Sequence, residues 1–388
     1  MPESPLFFLI AGEASGDLLG ARLMRSLKNI HPDARFAGIG GLRMQEEGIE
    51  LLFPQEELAH FGLFELLRHI PNILRRMKQT VEEIRYRKPD ALITIDAPDF
   101  CFRVARRLKG EGIPLIHYVA PTVWVWRKGR AKKIARFLDH LMVLLPFEPP
   151  YFTKEGLDTT FVGHSIIESG ADKGDAQRFR HNHGIPAKAT LLTVLPGSRK
   201  SEISRLMPIF EKTVERLQER HPNLHVILPT IPSLSEDLKE RTQDWPVPVT
   251  IVESDADKYD AFAASRAALA CSGTVSIELA MARLPSVTAY KVSLPTILLY
   301  GLFVMGTYAN LVNIMHKRMV VPELLQFNCT PKKLAEAADA LLTSEAARQK
   351  QIEGLAEVAG WLTPGSKPPS QYAAETVDHA VKWFKLPS

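Results

Sequence analysis

The stretch LLTVLPGSRKSEISRLMPIFEKTVERLQER, residues 191–220, contains the pattern that decides the fold. An apolar run at residues 191–195 leads into the turn Pro196-Gly197-Ser198-Arg199, and a helical pattern follows at once. A buried strand, a glycine turn and a helix form the unit from which parallel α/β sheets are built. Other runs repeat this order: LFFLIAG before GDLLGARLMRSLKNI, DALITIDA before DFCFRVARRLKG, and AALACSG before TVSIELAMAR.

The alternation restarts after about Gly163, and 388 residues exceed what one hydrophobic core usually spans. We therefore predict an α/β protein with two Rossmann-like doubly wound domains, residues 1–165 and residues 166–388, facing each other across a cleft. In open α/β sheets, ligands bind beyond the carboxyl ends of the strands. The loops at those ends are where chemistry is expected.

The composition excludes several classes of protein. A net charge of +4 is too small to indicate nucleic acid by itself. The three cysteines are far apart and lack metal-ligand spacing, which favours a reduced, cytosolic protein without disulfides. The N-terminus lacks a basic leader, and the longest apolar run, residues 294–306, is shorter than the roughly 18–20 residues of a membrane span. We expect a chain that does not cross a membrane but can touch one.

The first loop, AGEASGD, lacks the glycine spacing of a dinucleotide fingerprint and carries Glu13 and Asp17 where a pyrophosphate would lie. Carboxylates there would repel a diphosphate. Glu13, Ser15 and Gly16 suit neutral sugar hydroxyls better, so we predict an acceptor-binding loop. The alternative is a glycine turn in which Asp17 or Ser15 caps the following helix.

The second loop, TIDAPDF, places Asp96 at the end of a strand and Asp99 just after a proline. A partly desolvated carboxylate at a strand end can act as a general base, and Asp96 is the candidate. Asp99 stands where a helix N-cap belongs, and it is also a candidate for acceptor binding.

Two further loops predict a nucleotide diphosphate site in the second domain. Gly197 allows close approach of the backbone, Ser198 opens onto a helix start, and Arg199 offers a planar fork to phosphate oxygens. Ser272, Gly273 and Thr274 begin another helix, where Glu278 can accept hydrogen bonds from ribose hydroxyls. The alternatives are that Arg199 pairs with Glu202 and that Glu278 only favours the helix dipole.

Other features have simpler interpretations. Trp124 and Trp126 precede a basic segment that suits either a phosphorylated substrate or a solvated helix face. Asp255 and Asp257 resemble a metal-binding pair but lie in a hydrophilic turn, so we expect no metal site. His164 falls at the junction of the domains.

The segment FGLFELLRHIPNILRRMKQ has apolar residues at helical spacing with arginines off the stripe. Pro71 either kinks this helix or separates two short ones. An ordinary core-facing helix is one interpretation, and a helix lying on anionic lipid is the other. The residues predicted to contact lipid are Phe61, Phe64, Leu67, Arg68, Arg75 and Arg76.

The motifs AGEASGD, IDAPDF, HYVAPTVWVWR, LPFE, FVGH, LPGSR, SGT…E and PELLQ occur in the order and approximate spacing of lipid-A-disaccharide synthases, which this chain resembles over nearly its whole length. The resemblance implies an inverting GT-B glycosyltransferase of lipid A biosynthesis in Gram-negative bacteria. It implies transfer from UDP-2,3-diacylglucosamine to 2,3-diacylglucosamine 1-phosphate, giving a β-1′,6-linked disaccharide and UDP. It also implies a cytoplasmic enzyme, peripheral on the inner membrane.

Several residue roles follow from the resemblance alone. Asp96 matches the base, Arg199 the residue that holds the donor diphosphate, and Glu278 the ribose-binding acid. Asn313 in YANLVNIM matches a family asparagine expected at the acceptor, although its surroundings depart from the usual SLPN. The N-terminal domain would then hold acceptor and membrane, and the C-terminal domain the donor.

The resemblance further implies a homodimer, with the final helices packing either on the N-terminal domain or on a partner subunit. We expect no metal, no other cofactor and no nucleic acid. Two alternatives stay open: another GT-B enzyme acting on a UDP-sugar, such as a UDP-N-acetylglucosamine 2-epimerase or another hexosaminyltransferase, and a non-enzymatic protein that binds lipid or RNA.

Overall fold

The structure is a computed structural model that describes residues 4–58, 63–124, 129–292 and 308–385. The chain divides into two compact units. The first comprises Met1–Ser165 together with Leu362–Ser388, and the second comprises Ile166–Trp361. Each unit contains its own parallel sheet, which confirms the predicted α/β class with two doubly wound sheets.

The first unit has a seven-stranded sheet in the order β3-β2-β1-β4-β5-β6-β7. The strands are β1 (Leu6–Ala11), β2 (Arg35–Gly40), β3 (Glu50–Pro54), β4 (Ala91–Ile95), β5 (Leu115–Tyr118), β6 (His140–Val143) and β7 (Asp158–Phe161). Residues 7–11 and 91–95 are almost fully buried, because helices cover both faces of a parallel sheet. The strand order changes direction between β1 and β4, and ligands bind at such a switch point.

Within the described residues, six helices of the first unit precede the second unit in the chain, and one follows it. They are α1 (Ala14–Ile30), α2 (Leu42–Glu46), α3 (Leu63–Arg87), α4 (Pro98–Leu108), α5 (Gly129–Ile134), α6 (Pro149–Thr153) and α15 (Pro369–Phe384). Helix α15 packs on α1, and its Ala373, Ala374 and Val377 are fully buried in the core that contains Leu23 and Leu27. The second unit therefore ends at Trp361 rather than at residue 388.

The second unit has a six-stranded sheet in the order β10-β9-β8-β11-β12-β13. The strands are β8 (Thr190–Leu195), β9 (Leu224–Pro229), β10 (Val249–Val252), β11 (Ala267–Cys271), β12 (Ser286–Tyr290) and β13 (Glu323–Leu325). The helices are α7 (Ala176–Asn182), α8 (Lys200–Gln218), α9 (Pro232–Thr242), α10 (Asp255–Ala264), α11 (Val275–Met281), α12 (Leu311–His316), α13 (Pro331–Thr343) and α14 (Glu345–Trp361). Short 3-10 turns lie at Gln55–Leu58, Ser165–Glu168 and Gln326–Asn328.

The opening stretch forms the predicted strand, turn and helix. Strand β8 is buried between helices, and α8 lies across it with Ile203, Leu206 and Phe210 in the core. Apolar residues recur in α8 about every 3.6 residues, so these side chains share the helix face that packs on the sheet. The turn at residues 196–199 is thereby held at the carboxyl end of β8.

Helix α3 is continuous through Pro71, so the prediction of two separate short helices is wrong. Met77 is buried in the core and Ile73 packs against that core, whereas Leu74 and Arg75 are exposed. The C-terminal part of α3 is therefore a core-facing amphipathic helix.

Among the residues predicted to contact lipid, Arg76 has an internal role instead. Its guanidinium pairs with the carboxylate of Glu57 and lies 4.6 Å from the ring centroid of Phe53. Phe61 and the side chains of Phe64, Leu67 and Arg68 lie outside the described residues. No helix in the described part of the chain is long and apolar enough to cross a membrane.

Candidate active site

A cavity of 510 Å³ opens in the second unit at the carboxyl ends of β8, β9, β10 and β11. All seven residues predicted for the donor site line it: Gly197, Ser198, Arg199, Ser272, Gly273, Thr274 and Glu278. The structure also adds lining residues that sequence reasoning did not assign to this site: Thr230, Ile231, Glu253, Asp255 and Lys258. They follow β9 and β10 or lie at the start of α10, and the order of these strands in the sheet was not predicted.

The turn after β8 is shaped by Gly197 and Glu202. Gly197 has a φ of +111°, and a Cβ atom at this position would lie 2.4 Å from Oε2 of Glu202. That oxygen accepts hydrogen bonds from the backbone N–H groups of Ser198 (3.2 Å) and Arg199 (3.4 Å). A carboxylate thus covers the N–H groups that a phosphate would use at the start of α8.

Arg199 both lines the cavity and forms the ion pair considered as its alternative role. Its Nη1 lies 2.9 Å from Oε1 of Glu202, and its side chain is 77% exposed. An ion pair this exposed contributes only about 0–1 kcal/mol. A diphosphate with more than one negative charge can therefore compete with Glu202 for this guanidinium.

Lys258, on α10, is the cation that sequence reasoning missed. Its Nζ lies 3.0 Å from Oε2 of Glu278 and 2.8 Å from Oδ1 of Asp255. Burial opposes its charge, but Glu278 and Asp255 outweigh that effect and raise the pKa of Lys258 above its usual value. Asp255, predicted to be solvated, is mostly exposed but pairs with Lys258. The spacing of Asp255 and Lys258 on one helix was the available signal.

The Ser272 turn is held by residues from two other motifs. The hydroxyl of Ser272 donates to the carbonyl of Ala309 at 2.9 Å. The N–H of Ala309 and that of Asn310 donate to the carboxylate of Glu323, at 2.9 and 3.0 Å. The motifs YANLVNIM and PELLQ thus support the Ser272 turn at the cavity.

Asn313 has a structural role in place of the predicted contact with acceptor. It is fully buried in the second unit. Its amide donates to the carbonyl of Val321 and to the carboxylate of Glu323, both at 2.7 Å, and its Oδ1 accepts from the N–H groups of Val320 and Val321. A side chain enclosed in this way fixes the turn between α12 and β13.

The cavity lining carries more negative than positive side chains. Its acidic residues are Glu202, Glu253, Asp255 and Glu278, against the basic Arg199 and Lys258. Glu253 accepts a hydrogen bond of 2.6 Å from the hydroxyl of Ser235, and the other acids pair with the two cations. Arg199 therefore pairs with one carboxylate, that of Glu202, whereas Lys258 pairs with two.

In the first unit, the first loop and the turn after β4 lie against each other. A Cβ atom on Gly12 would be 2.8 Å from Cβ of Ala97, and one on Gly16 would be 3.4 Å from the carbonyl oxygen of Ile95. Gly12 is thus required for this packing, whereas a Cβ atom on Gly16 would only make a tight contact. This packing brings the loop that carries Glu13 and Ser15 next to the loop that carries Asp96.

The backbone around Asp96 is strained. Asp96 and Ala97 have φ values of +52° and +41°, and Val119 at the end of β5 has +81°. Asp96 is half-buried, and its N–H donates to the carbonyl of Tyr118 at 3.0 Å. Together with burial, its charge raises the pKa of the neighbouring Cys101 thiol. Left-handed non-glycine residues of this kind concentrate at functional sites.

The predicted caps of α1 and α4 are wrong. Ala97 is the N-cap of α4, and Asp99 is an exposed residue inside its first turn, where it favours the helix dipole. Glu13 is the N-cap of α1, without a side-chain hydrogen bond at that cap. Asp17 is buried and accepts from the N–H groups of Gly41, Arg43 and Met44, so it caps α2.

Glu148 of the LPFE motif is a buried acid that sequence reasoning left without a role. Its carboxylate accepts from the N–H of Leu145 at 3.0 Å and from the indole of Trp124 at 3.4 Å. Burial raises the pKa of Glu148 to about 7. It anchors the loop that carries Trp124, whereas Trp126 lies outside the described residues.

His164 is half-buried at the end of the first unit. Its backbone N–H donates to the carbonyl of Leu362 at 2.7 Å, and burial lowers the pKa of its imidazole to about 4.

No group of three or more histidine, cysteine, aspartate or glutamate side chains within the described ranges is arranged to hold a metal ion.

Comparison with known proteins decides the family. The family model described as lipid-A-disaccharide synthetase matches residues 7–377. A lipid-A-disaccharide synthase of Rhodospirillum centenum is 58% identical over 379 residues, which cover 97% of this chain and 94% of that protein. The chain belongs to the lipid-A-disaccharide synthase family. This confirms the resemblance found in the motifs, together with the glycosyltransferase role in lipid A biosynthesis that it implies.

Solved structures support the fold class of this lipid-A-disaccharide synthase family member. The S. aureus MnaA–UDP co-structure has a TM-score of 0.63 at 14% identity, covering 98% of this chain and 96% of that chain. The crystal structure of Acinetobacter baumannii MurG has a TM-score of 0.59 at 13% identity, covering 97% and 99%. At this level of identity the likeness shows the fold alone, and it confirms the predicted GT-B class.

Proposed function

We propose that this family member transfers a 2,3-diacylglucosamine unit from its UDP-linked donor to the 6-hydroxyl of 2,3-diacylglucosamine 1-phosphate. The products are a β-1′,6-linked disaccharide 1-phosphate and UDP. The reaction breaks the bond between the anomeric carbon and the diphosphate, and it forms a bond from that carbon to the acceptor oxygen. The acceptor proton must go to a base.

The observation that supports this proposal most strongly is the cavity at the carboxyl ends of β8 to β11. Its lining combines Arg199 with the Glu278–Lys258 pair. A nucleoside diphosphate carries groups that complement both: an anionic diphosphate and a ribose whose hydroxyls donate hydrogen bonds. The guanidinium suits the anion, and the carboxylate suits the hydroxyls.

In the proposed mechanism, Asp96 accepts the proton of the acceptor 6-hydroxyl as the oxygen attacks the anomeric carbon. Attack from the face opposite UDP inverts that carbon. Arg199 and the N–H groups at the start of α8 stabilise the negative charge that grows on the leaving diphosphate. Glu202 must release Arg199 for this step, because its carboxylate covers the same donors.

Incubation with the two acylated glucosamine substrates, with detection of disaccharide and UDP, tests the proposed reaction. No disaccharide from these substrates, with turnover of unacylated UDP-N-acetylglucosamine instead, would favour the alternative of a different UDP-sugar enzyme. Absence of UDP binding would favour a non-enzymatic binding protein.

Asp96→Asn tests the proposed base. We expect turnover to fall by about 10²–10⁴-fold, the range for loss of a general base, with UDP affinity unchanged. Asp99→Asn is the matched control in the same turn, and we expect it to retain turnover within about tenfold, because Asp99 is exposed. If Asp99→Asn shows the larger loss, Asp96 is not the base.

Arg199→Ala tests the proposed diphosphate contact. We expect UDP affinity to fall by about tenfold or more, with the affinity for uridine unchanged, because a charged hydrogen bond to phosphate is lost. Lys212→Ala, an exposed change on the same helix outside the cavity, is the control. Equal calorimetric affinities of wild type and Arg199→Ala for UDP would contradict the assignment.

We also propose that the chain acts as a peripheral protein on the cytoplasmic face of the inner membrane and as a homodimer. Leu74 and Arg75 on α3 are the described side chains that support contact with anionic lipid. We expect sedimentation with phosphatidylglycerol vesicles to exceed that with phosphatidylcholine vesicles. Arg75→Glu should reduce it, whereas Arg216→Glu in the second unit should not. Analytical ultracentrifugation tests the dimer.

A further inference from the structure

Lys258 is a mostly enclosed cation in the wall of the donor cavity. Its side chain is 19% exposed, and Nζ lies within 3.0 Å of carboxylate oxygens from both Glu278 and Asp255. Nζ also lies 4.8 Å from the ring centroid of Tyr259. Lys258 is on α10 and Glu278 is on α11, so this ion pair joins two helices that border the cavity.

The charge of this group argues against a direct role for Lys258 in binding the diphosphate. Two carboxylates surround one ammonium, so the group as a whole is negative. A diphosphate placed beside it would meet Asp255 and Glu278 as well as the lysine. Neutral hydroxyl groups, which donate hydrogen bonds to carboxylates, are the better ligands beside this group.

The geometry instead suits a role in orienting Glu278. Nζ of Lys258 forms an ion pair with Oε2 of Glu278, and the Glu278 side chain is 24% exposed. A glutamate side chain has three rotatable bonds, and fixing them on binding costs free energy. A hydrogen bond from a ligand hydroxyl therefore contributes more affinity when the carboxylate is already oriented. An ion pair to a neighbouring helix supplies that orientation.

We infer that Lys258 is a positioning residue that holds the Glu278 carboxylate toward the ribose hydroxyls of the donor nucleotide. This inference rests on the proposed function, since it requires a nucleoside diphosphate in the cavity. It assigns no contact between Lys258 and the phosphates. It therefore predicts that loss of Lys258 changes the recognition of ribose and leaves the recognition of diphosphate intact.

The test compares the affinities of UDP and 2′,3′-dideoxy-UDP by titration calorimetry. We expect wild type to prefer UDP by about tenfold or more, as for hydrogen bonds to a charged group. Glu278→Gln should lower this preference, and Lys258→Met should lower it by a similar factor while the affinity for dideoxy-UDP stays within about threefold of wild type. Lys258→Arg, which keeps an ion pair, should restore at least half of the preference on a logarithmic scale.

Lys239→Met is the matched control. Lys239 is exposed and pairs with Glu236 at 2.6 Å on α9 in the same unit, and it is not part of the cavity lining. We expect it to leave both affinities unchanged. If Lys258→Met does not fold, Lys258→Gln carries the same test, since it removes the charge but keeps a polar end. A reduced preference in that variant supports the inference, and an unchanged preference overturns it.

The possible results separate the inference from the proposed function. A wild type that does not bind UDP overturns the proposed function. A wild type that binds both nucleotides equally overturns the ribose role of Glu278, and the inference with it, while the diphosphate contact stands. Equal loss of affinity for both nucleotides in Lys258→Met overturns the inference alone, because it shows that the lysine contacts the diphosphate or supports the cavity in general.

Discussion

Replacing Gly197 by alanine disturbs the start of α8 in a way whose size can be worked out from the structure. Gly197 has a φ of +111°, and an added Cβ would lie 2.4 Å from Oε2 and 2.8 Å from Cβ of Glu202. The backbone strain costs on the order of 1–3 kcal/mol. Displacing Glu202 removes its hydrogen bonds to Ser198 and Arg199, which adds about 1 kcal/mol, as for loss of a helix cap. We expect a total destabilisation of roughly 2–4 kcal/mol.

Gly184→Ala separates the steric effect from the strain. Gly184 also lies in the second unit with positive φ, at +61°, but a Cβ there meets no atom within 4 Å. It should cost only about 1–2 kcal/mol. The double variant Gly197→Ala/Glu202→Ala should be less destabilised than the sum of its single variants, since the clash is gone.

Hydrogen exchange followed by mass spectrometry is the suitable assay, because it measures the free energy of opening for peptides of β8 and α8 separately from the first unit. UDP calorimetry on the same variants measures the site. We expect Gly197→Ala to lose UDP affinity and Gly184→Ala to retain it. Equal destabilisation by the two substitutions, with additive behaviour toward Glu202→Ala, would refute the steric argument.

Three further predictions concern buried or paired carboxyl groups. Glu148 has a folded pKa of about 7 against an ordinary 4.5, so its stabilising effect is full below pH 4.5 and is lost as the pH rises to 7. The free energy of unfolding falls by about 3 kcal/mol over this range. In Glu148→Gln, the free energy of unfolding of the first unit should depend less on pH between about pH 5 and pH 8. An equal pH dependence in both proteins would contradict this prediction. Asp17→Ala should destabilise the first unit by about 2–4 kcal/mol, because three N–H groups of the α2 start lose their acceptor, with the exposed Asp33→Ala near zero in the same urea titration. Asp260→Asn should destabilise the contact between α7 and α10 by about 2–4 kcal/mol. The reason is that the Asp260 carboxylate is buried and accepts two hydrogen bonds of 2.6 Å from the Arg178 guanidinium. Unchanged hydrogen exchange in α7 would count against this prediction.

The sequence predicted that the residues assigned to the donor site would lie together, because they occupy one repeated position. Each follows a buried strand, and the carboxyl ends of parallel strands meet at one edge of the sheet. Gly197, Arg199, Ser272 and Glu278 could therefore be grouped without coordinates. Membership of the family could likewise be read from motifs, since their order covers nearly the whole chain.

The errors arose where a side chain bonds to a distant part of the chain. Asp17 caps α2 rather than its own helix, and Asn313 fixes a turn between α12 and β13. Arg76 was predicted to be exposed with other arginines of α3. Its guanidinium instead donates to the carboxylate of Glu57, a residue that precedes that helix. None of these partners is marked by local spacing.

By itself, then, the sequence determined the fold class, the family and the position of the predicted chemistry at strand ends, because periodicity and motif order are local properties of a chain. Only the tertiary structure decided which charges face each other. It paired Glu202 with the start of α8 and joined Lys258 to Glu278 across two helices. Such pairs depend on the packing of separate elements, and the energy of a charge depends on what surrounds it. LPGSR could therefore be predicted as an anion-binding turn, but the Glu202 carboxylate that covers its N–H groups became visible only in the folded protein.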